Sequence, residues 1–309
     1  MKVWIGLYAA KWSRFWFEAD GRAQIRLFRI GFGLLLFVFY SIRTLDFELF
    51  YGQSGIMPLA ILPDLLPMQY RLSLFQYLTS DAALWIGNGV FLLSLLAFAF
   101  GIWPRISVLV AWGLHLSFVH RDLAIAYGAD MISCFFLFFL CFADYRDDRR
   151  YRTGDLRATL GSMSYRLCQV QVCIIYGFSG LKKLKGFTWW SGDAIWSSLS
   201  DPQLARWDFS WASHFPLALA AVAYLTVAWE IYFPVLIWVR AIRKPLLIVG
   251  IFLHLGIAVG LCLSYFGGLM VLTYLLFLDR RTLERGVLKL ESMKAYFTRN
   301  SQVPAPASD

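Results

Sequence analysis

Gln169, Tyr176, Ser179 and Lys183 are four polar side chains in a mostly apolar segment. At 100° per residue they lie within about 80° of one another on a helix. Cys173 and Gly180 flank the stripe, while Gln171 and Lys182 project from the opposite face. The chemistry such a face offers is proton transfer. Burial disfavours a charged amine, and a neutral lysine takes a proton or attacks a carbonyl. The alternative is that Lys182 and Lys183 snorkel to lipid headgroups from the end of the segment.

Four further ionisable residues lie inside apolar runs: His115, Asp130, Glu230 and His254. Ionisable groups in such runs are costly and mark proton relays or substrate paths, or else interhelical hydrogen bonds. His115 and Asp130 are expected at similar depths, where they can pair. His254 falls near mid-membrane, and Glu230 deeper towards the cytoplasm. In the turn His120-Arg121-Asp122, Arg121 is a candidate for an anionic or polar headgroup, and a solvated turn is the plainer reading. The four histidines (115, 120, 214, 254) are scattered, so no metal motif is present. No glycine-rich phosphate loop or GxSxG elbow occurs either.

The elements that must position these residues are long apolar runs. Of the 309 residues, 59% are apolar and only 16% charged, against about 45–50% and about 25% in soluble domains. A bilayer-spanning helix needs about 20 mostly apolar residues. Eight runs qualify, at roughly 27–43, 84–102, 106–119, 123–142, 165–181, 215–239, 246–263 and 266–278. The fold class is therefore an all-α polytopic helical bundle in a cell membrane, with both termini cytoplasmic. Orientation follows from basic residues: 20 of the 29 Lys and Arg fall in segments this topology puts inside, and 6 in those it puts outside. The net charge of +9 thus serves orientation, and nucleic acid is not an expected partner.

Residues 1–20 read as an interfacial amphipathic segment, 21–279 as the transmembrane domain, and 280–309 as a basic, partly disordered cytoplasmic tail. The segment 182–214 holds Trp189, Trp190, Trp196, Trp207 and Trp211. They anchor it at headgroup level, or roof a cavity entered from the outer leaflet. The five cysteines sit in or beside apolar runs without a CxxC pair, so buried, inert thiols are expected.

Several stretches resemble one family, the horizontally transferred transmembrane (HTTM) or vitamin K-dependent gamma-carboxylase-like membrane proteins. They are Arg29-Ile-Gly-Phe-Gly33 through Arg43 to Tyr51-Gly-Gln-Ser-Gly55-Ile-Met-Pro58; Arg121 to Asp130; Tyr176-Gly-Phe-Ser-Gly-Leu-Lys-Lys-Leu-Lys-Gly186 with Trp190 and Gly192; and Glu230-Ile-Tyr-Phe-Pro234 followed by His254. The resemblance covers about 21–278. It implies that Lys183 is a base acting on a hydroquinone, with a quinone or hydroquinone as candidate cofactor. In the family's carboxylase, oxidation of the hydroquinone drives proton removal from glutamate. That carboxylase carries a large extra-membrane C-terminal domain, and here only about thirty residues follow the last run.

Two functions are in play. One is a membrane enzyme with an outward-facing site: Lys183 as base, and Tyr176, Ser179, Gln169, His254, Asp130, His115, Arg121, Glu230 and Trp190 around a quinone-like or lipid-like ligand. The other is a non-catalytic component that binds an exported peptide or small partner protein through its Trp-rich outer loops. Bacterial single-domain members of the family, in a cytoplasmic membrane beside peptide-maturation systems, fit either.

Overall fold

The computed structural model describes residues 2–18, 20–61, 64, 72–146, 155–279 and 282–283. Nearly all of the tail at 280–309 lies outside them. Within the described residues the chain is all-helical, apart from one isolated bridge between Ala205 and Leu261. The helices are α1 (Lys2–Phe17), α2 (Arg22–Arg43), α3 (Phe47–Tyr51), α4 (Asp81–Phe100), α5 (Pro104–Arg121), α6 (Gly128–Leu140), α7 (Leu156–Lys183), α8 (Phe187–Ser191), α9 (Ala194–Ser200), α10 (Pro216–Leu236), α11 (Arg240–Gly260) and α12 (Ser264–Thr273), the last continued by a 3-10 turn at Tyr274–Phe277.

Local chemistry sets the ends. Ser80 caps α4, its hydroxyl accepting from the Ala83 amide at 3.2 Å, and Asp155 caps α7 through the Arg157 amide at 2.9 Å. Pro104 and Pro216 open α5 and α10, where a missing amide hydrogen costs nothing. The fourth apolar run becomes helical only at Gly128. There the Tyr127 amide donates to Asp130 Oδ2 at 3.1 Å, which starts α6. The fifth extends further back than its apolar part, starting at Leu156 directly after the Asp155 cap.

Periodicity decides the packing. In α2 the buried residues Ile25, Phe28, Phe32, Leu36 and Tyr40 recur every three or four positions. They join Phe91, Phe98, Phe118, Phe136, Phe233 and Phe277 in one aromatic core. The main antiparallel pairs are α7 with α10, α4 with α5, and α11 with α12; α2 packs on α4, and α1 on α7.

The outer surface inverts the pattern of a water-soluble domain. Leu217, Val222, Leu225 and Val235 of α10 and Ile248, Val249, Phe252, Leu255 and Val259 of α11 are exposed, while His115, Asp130, Glu230 and His254 are buried. Contiguous exposed apolar faces of this kind belong against lipid. Four helical segments are long and apolar enough to cross a membrane: Arg22–Tyr51, Asp81–Phe100, Pro216–Leu236 and Arg240–Gly260. Of the cysteines, Cys168 and Cys173 are buried, Cys134 and Cys141 half-buried, and Cys262 exposed; all are free. The expectation of five buried thiols therefore fails at Cys262, which sits in the open turn between α11 and α12.

At the opposite end from that turn, Asp144 ties three elements together. Arg22 donates to it from the start of α2. Arg146 Nε and Nη2 each reach it at 2.9 Å, and Arg146 also pairs with Asp155 at 2.7 Å. Burial works against ionisation of this carboxyl, but the hydrogen bonds from Arg146 and Arg22 outweigh it and hold its pKa below the ordinary value. A depressed carboxylate contributes stability above its unfolded pKa of about 3.9, lost as pH falls through the folded value. Asp144→Asn is therefore expected to lower the unfolding temperature at pH 7. The gap to wild type should close as pH is taken below about 4. Thermal unfolding in detergent at both pH values checks this; a gap independent of pH would refute it.

Candidate functional site

The polar stripe of α7 meets α10 because of Gly180. A β-carbon there would stand 3.0 Å from the Ile231 backbone nitrogen and 3.2 Å from the Glu230 β-carbon. Only glycine lets the two backbones approach so closely. Pro234 follows Glu230 by four residues inside α10, so the Glu230 carbonyl lacks its usual amide partner. The close approach brings Lys183 onto Glu230. Lys183 Nζ donates to Glu230 Oε2 at 2.7 Å, to Oε1 at 2.9 Å and to Ser179 Oγ at 2.7 Å. The amine thus has three polar partners for its three hydrogens. The Glu230 side chain is 8% exposed and that of Lys183 20%, so the lysine is the more exposed partner of the pair.

Glu230 is fourteen residues from Pro216, about 21 Å along α10 at 1.5 Å per residue. Helix α7 therefore stops beside the last third of α10. The chain then runs back along α10 towards its start: Gly192, at φ +85°, faces Ala220 and Tyr224, and the Tyr224 hydroxyl donates to the Trp190 carbonyl at 2.8 Å. Part of the expected outer loop is thus a second, broken wall against the same helix.

Within that wall, Trp189 takes the place expected for Trp190. The Lys183 ammonium lies 5.0 Å from the Trp189 ring centroid, within cation–π range. Trp190 is exposed, and its indole donates to the Leu184 carbonyl at 2.6 Å. Trp190 therefore closes the end of α7 and does not line the site. Lys182 is exposed and lies 5.0 Å from the Phe178 ring.

One turn further into the bundle, the Tyr176 hydroxyl hydrogen-bonds His254 Nε2 and the Tyr274 hydroxyl, both at 2.7 Å. Trp229 and Phe233 pack on the Tyr176 ring at 4.7 and 4.4 Å between centroids. His254 Nδ1 is buried with no hydrogen-bond partner among the described residues. Tyr274 was not among the expected site residues; its position in the last apolar run carried no signal beyond aromatic packing. Gln169 belongs elsewhere. Its amide donates to the Tyr165 hydroxyl at 3.0 Å and the Leu276 carbonyl at 2.8 Å, and it accepts from Arg166 at 2.8 Å. It ties α7 to the end of α12.

A second polar cluster joins α2 to α6. Arg43 donates to Asp130 Oδ1 at 3.2 Å and Oδ2 at 3.1 Å, and Tyr40 donates to Oδ1 at 3.0 Å. With the Tyr127 amide, every lone-pair direction of Asp130 is used. The expected pairing of His115 with Asp130 does not form. Tyr40 stands between them, its ring 5.5 Å from that of His115, and both ring nitrogens of His115 are buried without a hydrogen-bond partner among the described residues. Arg121 is not on a solvated turn. It is 1% exposed and donates to the carbonyls of Met57 at 2.8 Å and Gly52 at 2.6 Å. It pins the 52–57 loop and offers no face to a headgroup. In α12, Tyr265 faces this second cluster through Ser133 at 2.6 Å. Its neighbour Phe266 packs on His254, 5.6 Å between centroids.

Among the described residues no group of three His, Cys, Asp or Glu side chains is placed to hold a metal ion. Among the described residues, the fold and site define an all-helical protein with four helices long and apolar enough to cross a membrane and a part-buried lysine–carboxylate pair. No protein-family model, curated protein or solved structure matches the chain.

Proposed function

We propose that the chain is a multi-pass membrane enzyme, similar to the HTTM and carboxylase-like proteins, whose Lys183–Glu230 pair takes a proton from a hydroxyl of a hydroquinone-like or lipid-like substrate. The observation that carries this reading is Lys183, whose amine is bonded to both oxygens of Glu230 and to Ser179 while its side chain is still 20% exposed. In this arrangement the pair works as a unit. The ammonium and carboxylate together accept one proton, which comes to rest on Glu230. The ammonium then faces the substrate's new oxyanion and stabilises it. Ser179 and the Trp189 ring hold the amine in place. Tyr176, His254 and Tyr274 supply a second hydrogen-bonding chain one turn away.

The topology we propose has eight spans, α2, α4 to α7, and α10 to α12, with both termini cytoplasmic. It is supported by the one-to-one match of these helices with the eight apolar runs and by the basic-residue bias. Reporter fusions should read external at Ser200 and cytoplasmic at Val239; a cytoplasmic reading at Ser200 would sink the eight-span arrangement.

The activity is tested with purified protein in lipid nanodiscs, a reduced naphthoquinone and dissolved dioxygen as the two-electron acceptor. The deprotonated hydroquinone is the form that dioxygen oxidises to quinone with release of hydrogen peroxide, and the quinone is followed by absorbance. Saturable turnover above empty discs is expected. The absence of both binding and turnover would leave the second reading, a partner-binding membrane component. The exposed indoles of Trp190, Trp207 and Trp211 favour that one, because exposed tryptophans are enriched where proteins bind.

A further inference from the structure

Helix α1 is held against the bundle at one place. Arg166 Nε donates to the Phe15 carbonyl at 2.9 Å, and Ser162 Oγ donates to the Glu18 carbonyl at 2.6 Å. The Phe15 ring packs on Trp238 at 5.3 Å, in the turn between α10 and α11. This contact brings two basic segments together. Lys11 and Arg14 of α1 and Arg240 and Lys244 of α11 are all exposed. None of the four side chains has an ion-pair or hydrogen-bond partner among the described residues. Their neighbours Arg166 and Arg243 are different: they pair with Asp20 and Asp279. Glu18 is the exposed carboxylate here that stays unpaired, so the patch keeps an excess of positive charge.

Aromatic and aliphatic surface continues from the charges. Tyr8 and Trp12 are 67% and 66% exposed. On α11, Lys244, Ile248, Phe252, Leu255 and Val259 fall within about 80° of one another, and the four apolar members are exposed. The stripe rises about 22 Å from the lysine at 1.5 Å per residue. A cation at the foot of an apolar stripe of that length fits a phosphate headgroup with its acyl chain.

We propose that α1 and the α10–α11 turn form a headgroup site for an anionic glycerophospholipid whose acyl chain lies along the Lys244–Val259 stripe. The inference rests on the membrane reading of the chain, not on the lysine chemistry. The probes are phosphatidylglycerol and phosphatidylcholine of identical chains, added to the delipidated full-length protein in detergent. Lipid retention is read by native mass spectrometry, and stabilisation by thermal unfolding. Wild type should retain and be stabilised by phosphatidylglycerol preferentially. Lys11→Gln/Arg14→Gln/Arg240→Gln/Lys244→Gln should bind it about 10-fold or more weakly while keeping its response to phosphatidylcholine. Should the fourfold variant not fold, Lys244→Gln alone should still reduce the preference. Equal response of wild type to both lipids, or an unchanged preference in the variants, overturns the proposal. So does reproduction of the stabilisation by inorganic phosphate, which would mark a simple anion site. Release of the protein from membranes by carbonate would instead sink the membrane reading itself.

Discussion

Asp130→Leu is expected to produce one of the least stable single variants of this protein. The carboxylate is fully buried and Arg43 is 12% exposed. Removing it leaves a guanidinium in the bundle without its counter-charge, although it keeps the Ile125 carbonyl at 3.3 Å. Breaking a buried pair from one side costs about 3–5 kcal/mol, a large part of a typical total of about 5–15 kcal/mol. The same substitution strips the Tyr40 hydroxyl of its acceptor and the start of α6 of its cap. Replacing both partners behaves differently, because no unpaired charge remains. Arg43→Met/Asp130→Leu is expected to recover most of the loss, as buried pairs exchanged for apolar residues of similar volume often do. Fluorescence-detected size exclusion after heating, on both variants and wild type, measures this. A double variant as unstable as Asp130→Leu would show that the cluster contributes through more than its charges.

The helices were legible because a single sequence carries their periodicity. The three-to-four spacing in α2 gives its buried face, and the polar stripe of α7 gives the face that meets α10. What periodicity lacks is the identity of the neighbour. Lys183 and Glu230 are 47 positions apart, and Arg43 and Asp130 are 87 apart. Nothing along either helix states which face it will meet. The end of an apolar run need not be a membrane surface: α7 ends beside the last third of its partner α10, and the chain continues back along that helix. That break also moved the aromatic partner from Trp190 to Trp189, because residues beyond Gly186 no longer follow the register of α7. Arg121 was misjudged similarly. Three polar residues in a row suggest a solvated turn, but the Gly52–Met57 loop folds over this one and uses the guanidinium as its clamp.

The strongest test of the proposed chemistry changes Lys183 without removing its charge. Lys183→Arg keeps a cation opposite Glu230, and a guanidinium matches a carboxylate with two parallel hydrogen bonds. The α7–α10 contact should hold, and the unfolding temperature should stay near that of wild type. A guanidinium does not give up its proton, so hydroquinone turnover should fall by about 10²-fold or more, the lower range for loss of a general base. Lys182→Arg, on the exposed face, should stay within about twofold of wild type, as a snorkelling cation tolerates the exchange. Glu230→Gln completes the comparison. The amide still accepts one hydrogen bond from Lys183 but cannot take up a proton, so turnover should drop while much of the fold is kept. A structural ion pair predicts the opposite order: Lys183→Arg fully active, and Glu230→Gln harmful through stability alone. Full turnover in Lys183→Arg with normal stability would remove the base assignment and leave the pair as the bolt between α7 and α10.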